Sequence, residues 1–283
     1  MKKRLLVTGH RGYIGSKLYA RLQKNDYSVD GIDLKDGQDI LECLPNKRYH
    51  TIFHMAALPR VEYSVNNPYY TLKQNVLVTS KVLEFAAKNG CKRVIFSSSS
   101  AVSGNGDGPT SPYGLHKLMS EMECKLYSEL YGLDTVCLRY FNAYSEDQEF
   151  GGAYSTVISA WLEMIKQGKP LRIDGDGQQT RDFIHVEDIV DANIFCLRSK
   201  NKFNGSCFDV GTGQSISINQ IKEIVENNVQ NVEWHCAPER SGDARHTLAD
   251  TEPLQKMGWQ SQININDGIS SCFKNIRIKN ETY

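Results

Sequence analysis

The chain has 283 residues, with Lys and Arg together 33 and Asp and Glu together 33, so its formal net charge is zero. This length predicts one large domain, or one domain with a smaller lobe, and allows a sizeable core. The charge balance, with no basic run, argues against a nucleic-acid partner. No apolar stretch approaches the roughly 20 residues that a membrane-spanning helix needs.

The N-terminus and the cysteines predict a cytoplasmic protein. Only three apolar residues, 5–7, follow the basic start of the chain, so we expect no signal peptide. The eight cysteines are scattered without a Cys-x-x-Cys pair, and none of the histidines has metal-ligand spacing. We therefore expect reduced thiols and no metal site.

The first half of the chain alternates short apolar segments with helical patterns. Buried strands are predicted at Leu5–Val7, Val29–Asp33, Thr51–His54, Arg93–Ser97 and Thr135–Arg139. Apolar residues recur with a period of about 3.6 around 76–88 and over 113–131, which predicts helices there. This alternation predicts an α/β fold with a doubly wound parallel sheet, whose ligands bind beyond the carboxyl ends of the strands.

The pattern loosens after Asn142. Amphipathic helices are predicted from Tyr154 to Ile165 and from Ile218 to Val225, and a short strand at Leu171–Ile173. No internal repeat or low-complexity linker separates these elements from the first half. They indicate a smaller lobe built onto the parallel sheet.

Three glycines between the first strand and the first helix indicate a dinucleotide site. Gly9 permits a tight turn, Gly12 allows the backbone to approach a pyrophosphate, and Gly15 allows the helix to pack closely on the strand. The N-terminus of the helix then faces the negative charge of the pyrophosphate. A three-glycine loop alone is weak support, and its context strengthens it.

Asp33 supplies that context, because it follows Gly12 by 21 positions, near the roughly 20 expected for the acid that binds the adenosine ribose. A carboxylate there accepts from ribose hydroxyls and repels a 2′-phosphate, so NAD is favoured over NADP. Asp33 as a turn or helix cap is the alternative, and the nearby Lys35 leaves the choice of cofactor open.

Ser99, Tyr113 and Lys117 form the predicted catalytic group. Tyr113 and Lys117 are one helical turn apart on the same face, and the serine-rich strand end at 97–100 delivers Ser99 beside them. A free phenol has a pKa near 10, and a neighbouring ammonium lowers it so that the phenolate can take a proton from a sugar hydroxyl. Ser99 is expected to orient that hydroxyl. Taken alone, the Tyr–Lys pair would be an ordinary helix face.

With these residues the chain resembles the extended short-chain dehydrogenase/reductases, specifically the nucleotide-sugar epimerase/dehydratase group. The resemblance covers nearly the whole chain and rests on an ordered set of motifs. These are TGHRGYIG at 8–15, FHMAA at 53–57, Asn75, FSSSSAV at 96–102, SPYG at 111–114 with Lys117, RYFN at 139–142, GDG at 175–177, RDFIHV at 181–186, DVGTG at 209–213 and Arg240-x-Gly242-Asp243.

The resemblance extends the set of predicted site residues and implies NAD as the cofactor. The residues predicted to hold NAD are Gly9, Gly12, Tyr13, Ile14, Gly15, Asp33, Asp39, Ile40, Ala56, Ala57, Leu58, Asn75, Tyr113 and Lys117. The residues implied to hold a nucleotide-diphosphate sugar are Ser99, Asn142, Arg181, Arg240 and Thr247. Two guanidiniums and an amide suit a diphosphate.

The resemblance also implies how the chain divides and assembles. We expect an NAD-binding Rossmann domain over 1–142, to which 181–197 and the strand near 207–211 return. The nucleotide-sugar-binding lobe is expected over 143–180 and 212–283. A homodimer is implied, through the helix at 113–131 and the one around 76–88. The side chains of Met119, Met122 and Leu126 either serve this interface or face the sheet.

Three departures from the family pattern bear on the substrate rather than on the cofactor. The stretch 34–51 is short, as though the third strand and its crossover helix were lost, which the edge position of that strand permits. The loop 103–109 is also short, with Ser103 where the family usually has tyrosine. Ser145 follows Tyr144 where the family usually has glycine.

The residues after Ser99 bear on the reaction. Ser100 and Ala101 stand where the 4,6-dehydratases of the family carry an acidic pair, so dehydration is not favoured. The first hypothesis is a 4-epimerase of a UDP-hexose or UDP-N-acetylhexosamine that oxidises the sugar transiently with tightly bound NAD. The small Thr247 suggests that N-acetylhexosamines fit. The alternatives are an NAD(P)H-dependent reductase or epimerase-reductase of a nucleotide-linked 4-keto-6-deoxysugar, and a non-catalytic dinucleotide-binding protein.

Overall fold

A computed structural model describes residues 2–25, 27–104, 106–148, 156–239, 245–274 and 276. Its strands are β1 (Arg4–Thr8), β2 (Ser28–Ile32), β3 (Thr51–His54), β4 (Arg93–Ser99), β5 (Asp134–Tyr140), β6 (Asn142–Tyr144), β7 (Leu171–Asp174), β8 (Thr180–His185), β9 (Ser206–Val210), β10 (Ser215–Ser217) and β11 (Trp234–Ala237). Tyr154, in a predicted helix, lies outside the described residues.

Helices follow most of the strands. They are α1 (Tyr13–Lys24), α2 (Val61–Asn66), α3 (Pro68–Leu72), α4 (Val78–Lys88), α5 (Pro112–Tyr131), α6 (Val157–Lys166), α7 (Val186–Arg198), α8 (Ile218–Asn228), α9 (Glu252–Lys256) and α10 (Ile265–Phe273). A π-helical turn over Lys73–Leu77 runs directly into α4, so Val76 precedes the regular helix that the sequence predicted there.

The central sheet has the strand order β2-β1-β3-β4-β5-β9, and all neighbouring strands are parallel. The predicted doubly wound parallel sheet is therefore confirmed. Each of the predicted strands of the first half is present, with ends that differ by at most two residues. β4 continues to Ser99, while β2 ends at Ile32 and leaves Asp33 just beyond the strand.

The connection from β2 to β3, residues 33–50, holds no strand and no α-helix, only a short 3-10 turn at Leu34–Asp36. It crosses β1, and a crossover of this kind usually contains a helix. Ile40 and Tyr49 fill that role here, because both side chains are buried in the same core cluster as Leu6 of β1. The shortened stretch thus covers the sheet with two side chains in place of a helix.

Alternation along the strands creates a core on each face of the sheet. Leu5 and Val7 of β1 belong to one cluster with Phe53, while Leu6 belongs to the other with Ile52. Successive side chains of a strand point to opposite faces, so short strands that are apolar at every position are buried on both sides.

The smaller lobe has its own core. β10, β8 and β6 form one small sheet and β11 pairs with β7 in another. Large side chains of these elements and of α6, α8 and α10 pack together, among them Tyr144, Trp161 and Phe183. Leu254 and Trp259 of the 212–283 segment instead pack into the core of the parallel sheet. The division into two functional domains stays a prediction.

Helix α5 buries its polar face and exposes its apolar one. Glu121 and Lys117 are 3% and 2% exposed, whereas Met122 is 65% exposed and Met119 and Leu126 are also on the surface. These methionines therefore do not face the sheet. The inward face of α5 instead brings ionisable groups against β4 and β5.

Among the described residues, no helix is both long and apolar enough to cross a bilayer. All eight cysteines are free thiols.

Candidate functional site

The glycine loop is shaped by contacts between backbones. Gly9 adopts a positive φ of 70°, and a Cβ there would lie 2.7 Å from the amide nitrogen of Ala56. A Cβ at Gly15 would lie 2.1 Å from the carbonyl oxygen of Gly9. Gly12 is the N-cap of α1. Side chains are thus excluded where α1 begins, and the helix N-terminus is left open toward an anion.

Asp33 lies at the carboxyl end of β2 with both carboxylate oxygens held in place. One accepts from the backbone amide of Arg11 and the other from that of Lys35, each at 2.9 Å. Each oxygen has a second acceptor position, which suits the two hydroxyls of a ribose. The Lys35 ammonium donates to the Arg11 carbonyl at 3.1 Å. Asp33 therefore caps a turn, as the alternative interpretation had it, and is still able to bind a ribose.

A cavity of about 630 Å³ runs from Asp33 past the glycine loop to Ser97, a volume in the range of ligand pockets. Of the predicted cofactor residues, it is lined by Gly9, Gly12, Tyr13, Ile14, Gly15, Asp33, Asp39, Ile40, Ala56, Ala57 and Leu58. The glycine cradle, the helix N-terminus and the anchored carboxylate fit a dinucleotide.

Asn75 is buried and does not line this cavity. Its side chain accepts from the Leu58 amide at 2.7 Å and donates to the Leu58 carbonyl at 3.1 Å, so it fixes the backbone that does. His54 bridges Thr8 and Thr79 at 2.8 and 3.0 Å. Burial, followed by the nearby Lys117 charge, lowers the pKa of His54 to about 3, so it is a neutral structural residue.

The three predicted catalytic residues lie at the junction of β4 and α5. A Cβ at Gly114 would be 2.4 Å from the carbonyl oxygen of Ala101, so the start of α5 packs directly on the turn that follows Ser99. The backbone amide of Tyr113 donates to Ser64 Oγ at 3.0 Å, and the Tyr113 side chain is buried. Ser99 Oγ accepts from the Ala101 amide.

The Lys117 ammonium is completely buried. It donates to the Ser97 carbonyl at 2.6 Å, and lies 5.9 Å from the centre of the Tyr113 ring and 4.7 Å from that of Phe96. Burial lowers the pKa of Lys117 to about 8, and the charge of Glu121 opposes this shift. Because Ser97 lines the cavity, the Lys117 ammonium lies directly behind the cavity wall.

Glu121 is a residue that the sequence interpretation missed. Its two carboxylate oxygens accept from Arg139 Nε and Nη2, both at 2.8 Å, and Ser98 Oγ donates to Glu121 at 2.5 Å. Its position one turn after Lys117 was the available signal. Other lining residues that were missed include Gln74, which precedes Asn75, and the residues Arg11, Lys17, Gln38, Met55, Ser97, Tyr140, Asp147 and Gln148.

The predicted substrate residues are only partly brought together. Asn142 Nδ2 donates to the Asp182 carbonyl at 2.7 Å, which places it beside Arg181 on β8. Thr247 pairs with the same strand, through backbone bonds to Thr180 and Asp182. Arg240, with the Gly242-Asp243 part of its motif, lies outside the described residues.

Comparison with known proteins places these features in a family. A sequence model described as the NAD dependent epimerase/dehydratase family matches residues 5–211. The chain is 32% identical to a putative UDP-glucose 4-epimerase of Methanocaldococcus jannaschii, over 98% of this chain and 100% of that protein. The chain therefore belongs to the NAD-dependent epimerase/dehydratase family, and NAD is its cofactor.

Solved structures of this kind are also similar. The UDP-N-acetylglucosamine 4-epimerase of Methanobrevibacter ruminantium, in complex with UDP-N-acetylmuramic acid, has a TM-score of 0.87 and 32% identity, over 97% of this chain and 98% of that one. The UDP-glucuronic acid 4-epimerase of Bacillus cereus, in complex with UDP-glucuronic acid and NAD, has a TM-score of 0.85 and 27% identity, over 95% and 98%. The parallel sheet is thus of the Rossmann type.

Asp33→Asn tests the role of the carboxylate at the end of β2. We expect the affinity for NAD to fall about tenfold or more, since hydrogen bonds to a charged group are the stronger ones. The affinity for NADP should fall less, because its 2′-phosphate no longer meets a negative charge. Calorimetric titration of the cofactor-free protein with both dinucleotides measures the ratio.

Asp36→Asn is the matched control for Asp33→Asn, because Asp36 pairs with Arg11 and does not line the cavity. Equal losses for NAD and NADP in Asp33→Asn, or the same change of ratio in the control, would show that Asp33 does not contact the ribose.

Proposed function

We propose that the protein is a 4-epimerase of a UDP-hexose or UDP-N-acetylhexosamine. The observation that carries the proposal is the placement of Ser99, Tyr113 and Lys117 at the junction of β4 and α5, where the Lys117 ammonium donates to the carbonyl of Ser97, a residue that lines the NAD cleft. Ser100 and Ala101 follow Ser99, so no acidic side chain is present there to protonate a leaving hydroxyl. Such a site suits reversible oxidation of an alcohol better than elimination.

The proposed mechanism assigns one proton and one charge to the residues of this chain. Tyr113 takes the proton of the sugar C4 hydroxyl, and Lys117 stabilises the phenolate by its positive charge. Ser99 holds the same hydroxyl by a hydrogen bond. NAD, when bound, supplies the reversible hydride chemistry. After the 4-keto sugar has rotated within the site and presents its other face, Tyr113 returns the proton to the C4 oxygen, which completes the epimer.

The diphosphate of the substrate is proposed to bind Asn142, Arg181 and Arg240, which fix the nucleotide while the sugar moves. Thr247 is proposed to lie at the sugar C2 substituent. Its Oγ1 is buried and has no hydrogen-bond partner among the described residues, whereas buried polar groups usually have one. An acetamido carbonyl is an acceptor of the kind that this hydroxyl lacks, which supports the N-acetylhexosamine form of the proposal.

Purified protein mixed with UDP-glucose, UDP-galactose and their N-acetylated counterparts tests the function. We expect interconversion of one pair without added cofactor, because NAD is regenerated in each cycle and stays bound. Tyr113→Phe should lower kcat about 10²- to 10⁴-fold without loss of bound NAD. Products resolved by chromatography give the rates, and the preferred pair identifies the C2 substituent.

Tyr127→Phe is the matched control, because Tyr127 lies on the same helix and packs against Tyr131. If the folded, NAD-loaded protein converts none of the four UDP-sugars, the 4-epimerase proposal is overturned. Stoichiometric consumption of NAD(P)H with a nucleotide-linked 4-keto-6-deoxysugar would then identify the reductase alternative.

The pH dependence of the reaction should reflect the buried ammonium. The titratable groups that act on Lys117 are Glu121 and Cys124 on its own helix and Cys137 on β5, and His54 on β3 is neutral. The pKa of Lys117 is about 8, so kcat should fall as the pH rises through about 8 and Lys117 loses its charge.

Glu121→Gln removes the charge that raises the pKa of Lys117. We therefore expect the falling limb of the kcat profile to move to lower pH, with a smaller change near pH 6, where Lys117 stays protonated. Glu129→Gln, an exposed change on the same helix, serves as the control. A profile lowered equally at every pH would mean that Glu121 has only a structural role.

The apolar face of α5 supports the further proposal of a homodimer. Leu115, Met122 and Leu130 are 48%, 65% and 66% exposed, and α3 beside them presents Tyr69, 82% exposed. α5 packs along α3, α4 and the π-helical turn, and these four exposed side chains of α5 and α3 are here called the α5 patch. Patches of this kind mark interaction sites, and a second copy presents the same patch.

Sedimentation tests the dimer. The native protein should have twice the mass of one chain at micromolar concentration, and Met122→Glu should shift it toward one chain, because it places a carboxylate in the α5 patch. Leu248→Glu, at a similarly exposed position outside that patch, should not. A single-chain mass for the native protein refutes the dimer. A cytoplasmic location also stays a prediction, supported by the eight free thiols.

A further inference from the structure

The segment 145–148, which follows β6, reaches across to helix α1. Tyr13 Oη and Ser145 Oγ are 2.6 Å apart, although 132 positions separate them in the chain. The Lys17 ammonium lies 2.8 and 2.6 Å from the two carboxylate oxygens of Asp147. Two neighbouring turns of α1 are thus joined to a single short segment of the lobe.

Donor counting gives these contacts one direction. Ser145 Oγ is 2.7 Å from Asp147 Oδ1, and an ionised carboxylate only accepts, so the hydroxyl of Ser145 donates to Asp147. Ser145 has one proton, so at its second contact it accepts from Tyr13. Asp147 then accepts hydrogen bonds from the Ser145 hydroxyl and from the Lys17 ammonium. The four side chains form one continuous hydrogen-bonded group, in which each contact has one donor and one acceptor.

The segment is anchored from behind as well. Glu146, between Ser145 and Asp147, points the other way, and its carboxylate accepts from Ser271 Oγ at 2.5 Å and lies 3.3 Å from His185 Nε2. Residues 145–148 form a turn, in which the Gln148 amide donates to the Ser145 carbonyl. Ser145 and Asp147 of this turn contact α1, whereas Glu146 contacts the end of β8 and α10. The segment that carries Ser145 and Asp147 is therefore fixed by the contacts of Glu146 as well as by α1.

The group lies at the cofactor cleft. Tyr13, Lys17, Asp147 and Gln148 all line the same cavity as the glycine loop. The pyrophosphate of a dinucleotide binds at the N-terminus of α1, so the contacts between α1 and the segment 145–148 bridge the cleft beside it. Ser145 is also a departure from the family pattern, which usually has glycine there and hence no hydroxyl.

We propose that Tyr13, Lys17, Ser145 and Asp147 form a clasp that bridges the NAD cleft and slows the release of the bound cofactor. NAD that is regenerated in every cycle has no need to leave, so slow release costs the reaction nothing. The Lys17–Asp147 part of the clasp is sensitive to salt, because Asp147 is 68% exposed. The inference depends on NAD binding in this cavity and not on which sugar is the substrate.

The release rate of the cofactor tests the clasp directly. Protein loaded with the fluorescent 1,N6-ethenoadenine analogue of NAD is chased with excess NAD, and the fluorescence change gives the dissociation rate. We expect Ser145→Ala and Asp147→Asn each to release the analogue about two- to tenfold faster, the range of one hydrogen bond or exposed ion pair. In the double variant, the increase in the dissociation rate should be smaller than the product of the two single increases, because both substitutions disrupt the same hydrogen-bonded group.

Salt and two further variants separate the clasp from a general loss of structure. Raising salt from about 0.1 M to about 1 M shortens the Debye length from about 10 Å to about 3 Å and should speed release from the native protein but not from Asp147→Asn. Ser145→Thr keeps the hydroxyl and should retain slow release. Glu84→Gln, which removes the same charge from the Lys88 pair on α4, should match the native protein.

Release rates of Ser145→Ala and Asp147→Asn within twofold of the native protein would falsify the clasp. So would a Ser145→Thr variant as fast as Ser145→Ala, or equal acceleration in Glu84→Gln. If Asp147→Asn fails to fold, the Ser145 pair decides the question. None of these readouts uses turnover, so an error in the proposed epimerase reaction leaves the result unaffected.

Discussion

The ion pair between Glu121 and Arg139 favours the charged form of a lysine inside this protein. Burial favours the neutral form of Lys117, and the carboxylate one turn away opposes it. Glu121 is itself buried, so without Arg139 it would be an unpaired charge in the interior, which costs several kcal/mol, roughly 3–5. Because Ser98 donates to the same carboxylate, the pair joins β4, β5 and α5 into one unit. The positions of Ser99 and Tyr113 follow from that unit.

The sequence could predict the features that depend on short spacings, either one helical turn or one helix followed by one strand. The glycine loop works through backbone geometry, and its spacing with Asp33 is set by one strand and one helix. Tyr113 and Lys117 share a helix face because their separation is one turn. The alternation of apolar strands and helices predicted the sheet, since burial on both faces demands apolar residues at every position.

Contacts between distant segments were out of reach of such reasoning. Lys17 and Asp147 are 130 positions apart, and nothing in their spacing gives their distance. The apolar face of α5 points outward, although an apolar stripe on a helix usually faces the core. That rule failed because the opposite face of the helix carries Lys117 and Glu121, which have partners only inside. The residues of the proposed catalytic site thus inverted the amphipathic pattern of their own helix.

Because residues 33–50 lack a crossover helix, the local unfolding of this segment depends on whether the cofactor is bound. The backbone hydrogen bonds described for residues 33–49 all lie within short turns, and only His50, at the end of the segment, bonds to Arg4 and Lys92 outside it. A segment with few such bonds opens at low free energy. Asp39 and Ile40 belong to it and also line the NAD cavity. A dinucleotide that binds in this cavity, as proposed, stabilises the closed form by mass action and acts there as a part of the folded core.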